Sequence, residues 1–336
     1  MYNANKLIDY ADQLLITAGL DTKVSRCVSE SLVDGDLLGH TTHGLGLLPL
    51  YIKEIVNGNM SKSTEPVVLS DRPASLLWDG LHMPGPWLMT KGYNTLKDRA
   101  QQFGVASLVI RNCHHTACLA TYLQEALEHG FIMLIANASP NAKTVAPHGG
   151  TRAVMGTNPI AMSFPLSSDG VLVDMAISKT TNGMVARKLQ SNELFDTECL
   201  QDSNGVPTKD PKVYAQQPKG TLLPIAEHKG FAMGLMVEAL SSGLAGWTQN
   251  NLVFSNNINI TLYSIDAFAG MTQFNQHMDV VAHNCHSDPG VRLPGERALQ
   301  LKKQQLENGV ILHNQVITAL TELDRTYNSD LNSCII

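Results

Sequence analysis

The chain has 336 residues, a formal net charge of −6, 43% hydrophobic residues and 16% charged residues. That length predicts about two domains with a substantial core. The acidic balance, without a long Lys/Arg run, excludes a nucleic-acid partner, which needs a basic face against phosphate. Sparse charge fits a subunit that buries part of its surface against a second copy. The opening Met1-Tyr2-Asn3-Ala4-Asn5-Lys6 has no apolar signal-peptide region. The longest apolar stretch, Phe231 to Gly246, carries Glu238 and is too short for a bilayer span. A cytoplasmic location away from the membrane is expected, and the six scattered cysteines, with no CxxC pair, are expected to be free thiols.

The first sixty residues read as helices. Leu7, Tyr10, Ala11, Leu14, Leu15 and Ala18 recur at helical spacing and define one apolar face. Gly19 ends the pattern, and Asp21 is the N-cap of a second helix carrying Val24, Cys27, Val28 and Leu32. Gly39 to Gly46 breaks the period before a short helix with Leu48, Tyr51, Ile52 and Ile55 inward, closed by the polar stretch from Asn57 to Pro66. Further on, Val105 to Ile110, Phe131 to Ala136 and Val171 to Met175 have the length and composition of buried strands, and Ala117 to Leu127 has helical spacing. Alternating strands and helices predict a layered α/β domain with a parallel or mixed sheet. Residues 197 to 220 are polar and read as a long loop that covers the site. Phe231 to Leu244, apolar almost all round, predicts a buried helix, and Glu296 to Tyr327 returns to helix.

Nucleotide binding has no local signature here. Gly44-Leu45-Gly46 neither follows a strand nor supplies a third glycine, and no P-loop occurs. Seven polar segments, four of them glycine-bearing, instead stand at the ends of apolar runs. They are Asp36 to Gly44, Arg111 to His115, Asn137 to Pro140, Gly156 to Pro159, Asp174 to Ser178, His228 to Gly230 and Arg292 to Arg297. Strand C-termini and helix N-termini are where α/β folds gather ligands.

In order and spacing, from about residue 5 to residue 325, these segments resemble the type-2 malate/L-lactate dehydrogenase family, which includes sulfolactate, ureidoglycolate and diketogulonate oxidoreductases and cyclic imino-acid reductases. The resemblance implies a non-Rossmann α/β fold. In it a mixed-sheet nucleotide-binding domain (71–249) adjoins a helical region built from residues 1–70 packed with 250–336. It further implies a homodimer, NAD or NADP as cofactor, and interconversion of a 2-keto or imino acid with the 2-hydroxy or amino acid. A second reading is a nucleotide-binding paralogue with an altered pocket and little activity.

The resemblance places His43 as proton donor and acceptor, a role that suits imidazole because its ordinary pKa lies near neutrality. Thr42 beside it orients the ring or bonds substrate. His115 is the second catalytic candidate and also a cofactor contact. Its place near a helix N-terminus predicts a neutral ring, although Thr116 and Ala117 follow where the family has Phe-Gly or Ile-Gly. Cofactor contacts are implied for Ser139, Asp174, Met175, Ala176, Ser178, His228, Lys229, Gly295 and Glu296, and substrate contacts for Thr42, Leu47, Thr157 and Asn158. Two positions depart from the family. Leu47 stands where an arginine holds the substrate carboxylate, and Met184 where a charged residue is usual. Lys143, Arg152 and Arg187 are candidate replacement cations. His277, His283, Cys285 and His286 fit no standard zinc spacing, and no metal is expected.

Overall fold

The structure, a computed structural model, describes residues 1–246, 252 and 254–336. Helices α1 (Ala4–Ala18), α2 (Thr22–Leu37) and α3 (Leu48–Val56) form the first layer. The six apolar residues expected on the inner face of α1 are the ones it buries. Gly19 ends α1 in the left-handed conformation at φ 107°, and Asp21 caps α2 by accepting the Lys23 N–H. This core also takes in Val310, Leu312, Val316 and Leu320 from the end of the chain. Each fully buried Leu, Ile or Val contributes about 1.5–3 kcal/mol.

The hairpin β1 (Val67–Arg72) and β2 (Ser75–Asp79), helix α4 (Gly85–Phe103), β3 (Val105–Cys113), α5 (Ala120–Glu128) and β4 (Phe131–Ala138) follow. Next come β5 (Ile160–Pro165), β6 (Gly170–Met175) and α6 (Asn182–Ser191). The short strands β7 (Leu200–Gln201), β8 (Pro207–Thr208) and β9 (Thr221–Leu222) precede α7 (His228–Glu238), β10 (Asn256–Ser264), α8 (Met271–His286), α9 (Glu296–Asn308) and α10 (Asn314–Tyr327).

One mixed sheet runs β1-β2-β3-β10-β4-β5-β6, parallel between β2 and β3 and antiparallel elsewhere. β10 is its middle strand, with Ile260 opposite Leu108 on one side and Ile135 on the other. This departs from the expected grouping of all of 250–336 with the helical region. Ile258, Ile260 and Leu262 alternate with Asn257, Asn259 and Thr261. The apolar set joins the sheet core, while Asn257 and Asn259 donate to Ser242 Oγ and the Leu240 carbonyl. A strand buried on both faces but amide-bearing on one hides from a hydrophobicity reading.

Two further expectations are corrected. The 197–220 segment is not one long loop, because β7 pairs with β8 and β9 in a small sheet. Leu200 and Leu222 anchor that sheet in a core with Val145, Ile177 and Val185. The 231–244 helix is not buried all round. Gly230, Gly234 and Val237 of α7 face inward. A Cβ at Gly234 would lie 2.7 Å from Met155 Sδ, so this close approach needs glycine. Leu235, Met236 and Leu244 on the other side are more than half exposed. No helix is long and apolar enough to cross a membrane among the described residues.

Candidate active site

The turn carrying His43 is held from below by Asp36 in the last turn of α2. Asp36 is buried, and its Oδ2 accepts the Leu45 N–H at 2.7 Å while Oδ1 has no hydrogen-bond partner. A Cβ on Gly44 would collide with this carboxyl, so Gly44 is required there. Gln305 of α9 donates to the carbonyls of both Asp36 and Leu37 at 3.0 Å, and the His43 N–H donates to the His40 carbonyl at 2.7 Å. The loop is thus fixed by the end of α2 and by α9.

Burial pushes the Asp36 carboxyl up to about 7, opposed by the Leu45 N–H and the Arg187 charge. A carboxyl with a raised folded pKa binds its proton more tightly folded than unfolded. It therefore stabilises most below the ordinary carboxylate range, and that stability is lost as pH rises toward and through about 7. We expect Asp36→Asn to flatten this slope, which is at most about 1.4 kcal/mol per pH unit. Urea unfolding of both proteins at about pH 5 and about pH 8 measures it, and parallel pH slopes would refute the assignment.

His43 and His115 face each other as stacked rings, with centroids 5.9 Å apart and planes 22° from parallel. Thr42 Oγ1 lies 2.9 Å from His43 Nδ1 and anchors that nitrogen. His115 Nδ1 accepts the Ala117 N–H at 3.1 Å, so the neutral ring carries its proton on Nε2. Tyr51 donates its hydroxyl to the His115 carbonyl at 2.8 Å, and Phe254 meets the His115 ring edge-on at 5.8 Å. Burial lowers His43 to about 4, with His40 adding to the effect. Burial lowers His115 to about 3, helped by His43 and His114. Both rings are therefore neutral near neutral pH. The cause differs from the helix dipole expected for His115, because α5 begins only at Ala120 and desolvation dominates.

Helix α6 closes the other side of the loop. Thr181 caps it by accepting the Met184 N–H, and a Cβ on Gly183 would lie 3.2 Å from Thr42 Cβ. Arg187, one turn on, donates from Nη1 to Thr41 Oγ1 at 3.0 Å and from Nη2 to the Thr41 carbonyl at 3.1 Å. Its half-buried guanidinium has no carboxylate partner within 4.0 Å among the described residues. Lys143 and Arg152 are exposed. Leu47 packs on the helical core and Met184 on the small-sheet core.

The remaining expected residues cluster around the end of β6, several with their polar atoms already engaged. Asp174 Oδ2 accepts the Ala120 N–H at 3.0 Å at the start of α5. Met175 is 38% exposed, with Ala176 half-buried beside it. The Ile177 N–H donates to the Thr157 carbonyl at 2.9 Å. Ser178 donates to the Thr180 carbonyl, and Ser139 bonds the Asn256 side-chain carbonyl. Asn158 donates to Glu238 at 2.9 Å and to the Gly234 carbonyl, tying the 156–159 turn to α7. The Ile225 N–H donates to the Ile177 carbonyl, which sets the α7 N-terminus beside the strand end. His228 and Lys229 are exposed there, after Ala226 and Glu227 at φ 45° and 59°. Such non-glycine strain gathers at functional sites. Glu296 binds His286 at 2.6 Å and accepts the Leu293 N–H, and Gly295 sits against Leu172 of β6. His277 and His283 are exposed on α8. Tyr51, Phe254 and Asp36 are site residues without an assigned role in the sequence reading. Tyr51 and Asp36 sit on helix faces that pattern alone marks as packing.

The malate/L-lactate dehydrogenase family model matches residues 2–321. Hydroxycarboxylate dehydrogenase B of Escherichia coli O157:H7 is 26% identical, over 93% of this chain and 90% of its own. A Δ1-pyrroline-2-carboxylate/Δ1-piperideine-2-carboxylate reductase of Pseudomonas syringae pv. tomato is 28% identical, over 95% of this chain and 94% of its own. Among solved structures, a putative malate/lactate dehydrogenase from E. coli superposes with a TM-score of 0.90 at 23% identity, covering 99% of this chain and 97% of the other. The chain belongs to the malate/L-lactate dehydrogenase family of oxidoreductases.

Proposed function

We propose that this enzyme interconverts a 2-oxo acid, or a cyclic imino acid, with the corresponding 2-hydroxy or amino acid, using NADH or NADPH. The observation that carries the reading is the His43–His115 pair and, on the neighbouring α6, an Arg187 guanidinium that makes no carboxylate ion pair within 4.0 Å among the described residues. Relatives named as hydroxycarboxylate dehydrogenase and imino-acid reductase share the combination of a carboxylate and an adjacent reducible carbon in their substrates.

The surroundings of β6 fit a dinucleotide. The exposed N-terminus of α7 presents His228 and Lys229 to phosphate, and the strand end at Met175–Ala176 offers a surface for the nicotinamide side. We assign Ser139, Asp174, Ser178, Gly295 and Glu296 to shaping that surface through the bonds described above, with His115 at its inner end. When bound, the nicotinamide supplies the hydride to carbon or takes it back.

The protein's own residues handle the proton and the substrate's charge. His43, neutral at rest, first takes up a solvent proton, and its imidazolium then delivers that proton from Nε2 to the oxygen or nitrogen of the double bond, while Thr42 holds the ring through Nδ1. The His115 Nε2–H donates to the same heteroatom and polarises it. Arg187 binds the carboxylate from α6, in place of a cation at position 47. Thr157 contacts substrate at the rim, and Asn158 holds the 156–159 turn. In the reverse direction the neutral His43 accepts the hydroxyl or amine proton. The apolar Leu47 and Met184 favour the second reading, a nucleotide-binding paralogue. Thermal stabilisation by nucleotide with no turnover on any oxo or imino acid would support that reading over catalysis.

We infer a homodimer as well. Leu235, Met236 and Leu244 beside the site, and Val280 and Val281 on α8, which buries none of its residues, leave apolar surface for a second copy. Sedimentation should give twice the 36.5 kDa chain mass, and Leu235→Asp with Met236→Asp should shift it toward monomer. A wild-type monomer at micromolar concentration would refute the inference.

A further inference from the structure

His40, just after α2, Cys118, just before α5, and Asp174, at the end of β6, are far apart in sequence and converge in space. One ring nitrogen of His40, Cys118 Sγ and a carboxylate oxygen of Asp174 all lie within 4.8 Å of one another. Cys118 Sγ is 3.7 Å from Asp174 Oδ2. Tetrahedral zinc, with Zn–S of about 2.3 Å and Zn–O of about 2.0–2.2 Å, places sulfur and oxygen about 3.5 Å apart.

We propose that His40, Cys118 and Asp174 form a binding site for one divalent transition-metal ion of the zinc type. A thiolate ligand disfavours magnesium and calcium, and a carboxylate with an imidazole disfavours a purely soft site, so the mixed set suits a borderline ion such as zinc. Three protein ligands leave a fourth position to water. The segments that bear the ligands are held in place, as metal ligands generally are. The Ala120 N–H donates to Asp174 Oδ2 at 3.0 Å, Thr121 Oγ1 donates to the Cys118 carbonyl at 2.8 Å, and the His40 N–H donates to the Gly35 carbonyl at 2.8 Å.

Electrostatics supports the geometry. Burial pushes the Cys118 thiol well above its usual range, with the Asp174 charge adding to it, and burial raises the Asp174 carboxyl. A dication compensates both desolvated acids, and its arrival displaces the thiol proton to solvent as the metal–sulfur bond forms. No spacing rule finds this cluster, since its members belong to three separate segments. None of the three transfers the proton in the reaction proposed above, so the ion would clamp the His40–Gly44 turn to α5 and β6. Asp174 is shared with the nucleotide surface proposed above, so the test reads metal uptake directly and not turnover.

Cobalt(II) and zinc(II) are the probes. The full chain, stripped with chelator, should take up one Co²⁺ with a near-ultraviolet thiolate-to-cobalt band, and zinc should displace it stoichiometrically. Cys118→Ser, nearly isosteric, should abolish the band. His40→Gln should weaken binding by more than the roughly 10- to 100-fold typical of losing an outer-shell partner. His277→Ala and His283→Ala, on α8, should leave it unchanged. Absence of the band in wild type, or its persistence in Cys118→Ser, would overturn the proposal. Circular dichroism identifies an unfolded variant, and His40→Gln in a turn decides the case if Cys118→Ser does not fold.

Discussion

His43→Ala is expected to lower kcat by about 10²- to 10⁴-fold, the usual worth of a positioned acid–base group, while nucleotide affinity stays as in wild type. The alanine removes the nitrogen that faces the substrate, yet leaves the turn intact, because Asp36, Gly44 and the His40 carbonyl hold it by backbone contacts. Steady-state kinetics with fluorescence titration of the reduced nucleotide separates the two effects. Thr42→Val should show a smaller loss of the same kind, because its hydroxyl only fixes the ring through Nδ1. Turnover by His43→Ala at the wild-type rate would move the proton-transfer role to His115, whose Nε2–H tautomer is set by the Ala117 N–H.

Arg187→Met should have the second large effect, and in a different constant. A hydrogen-bonded charge contributes about 1.5–3 kcal/mol, which is about 10- to 150-fold in kcat/KM. The loss should appear mainly as a raised KM, since the carboxylate is bound alike in ground and transition states. Arg187→Lys should recover only part of it, because a point charge does not reproduce the guanidinium fork. A carboxamide analogue gives the sharper comparison. Wild type should handle it as poorly as Arg187→Met does, and the variant should no longer distinguish amide from acid. If Arg187→Met keeps the wild-type KM for the acid, the carboxylate is held elsewhere.

The helical layer was legible in the sequence because one face of each helix is apolar at the 3.6-residue period. Leu7 to Ala18 and Leu48 to Ile55 are buried as that period requires. Strands β3, β4 and β6 were legible as short apolar runs, although β3 and β4 extend past them to Cys113 and Ala138. β10 was not, because amides alternate with its isoleucines and are satisfied by the turn after α7. The apolar helix α7 misled in the opposite direction, since residues apolar enough for a core lie on the surface of one chain.

At the site, the sequence offered His43, His115 and Thr42 as candidates, and the fold sets them side by side. It offered three cations for the substrate carboxylate without means to choose. Only the fold shows that Arg187, on α6, is bonded to the Thr41–Thr42 turn, which is the ground for proposing it over the other two. The convergence of His40, Cys118 and Asp174 depends wholly on the fold, because each belongs to a different segment.

The most direct test is a panel of 2-oxo acids and cyclic imino acids, each assayed with NADH and NADPH by loss of reduced-nicotinamide absorbance. At least one acid should be reduced with one of the two nucleotides, and His43→Ala should reduce the same acid about 100-fold or more slowly. Failure of both nucleotides to bind at millimolar concentration, or the same turnover with and without His43, would contradict the proposed reaction.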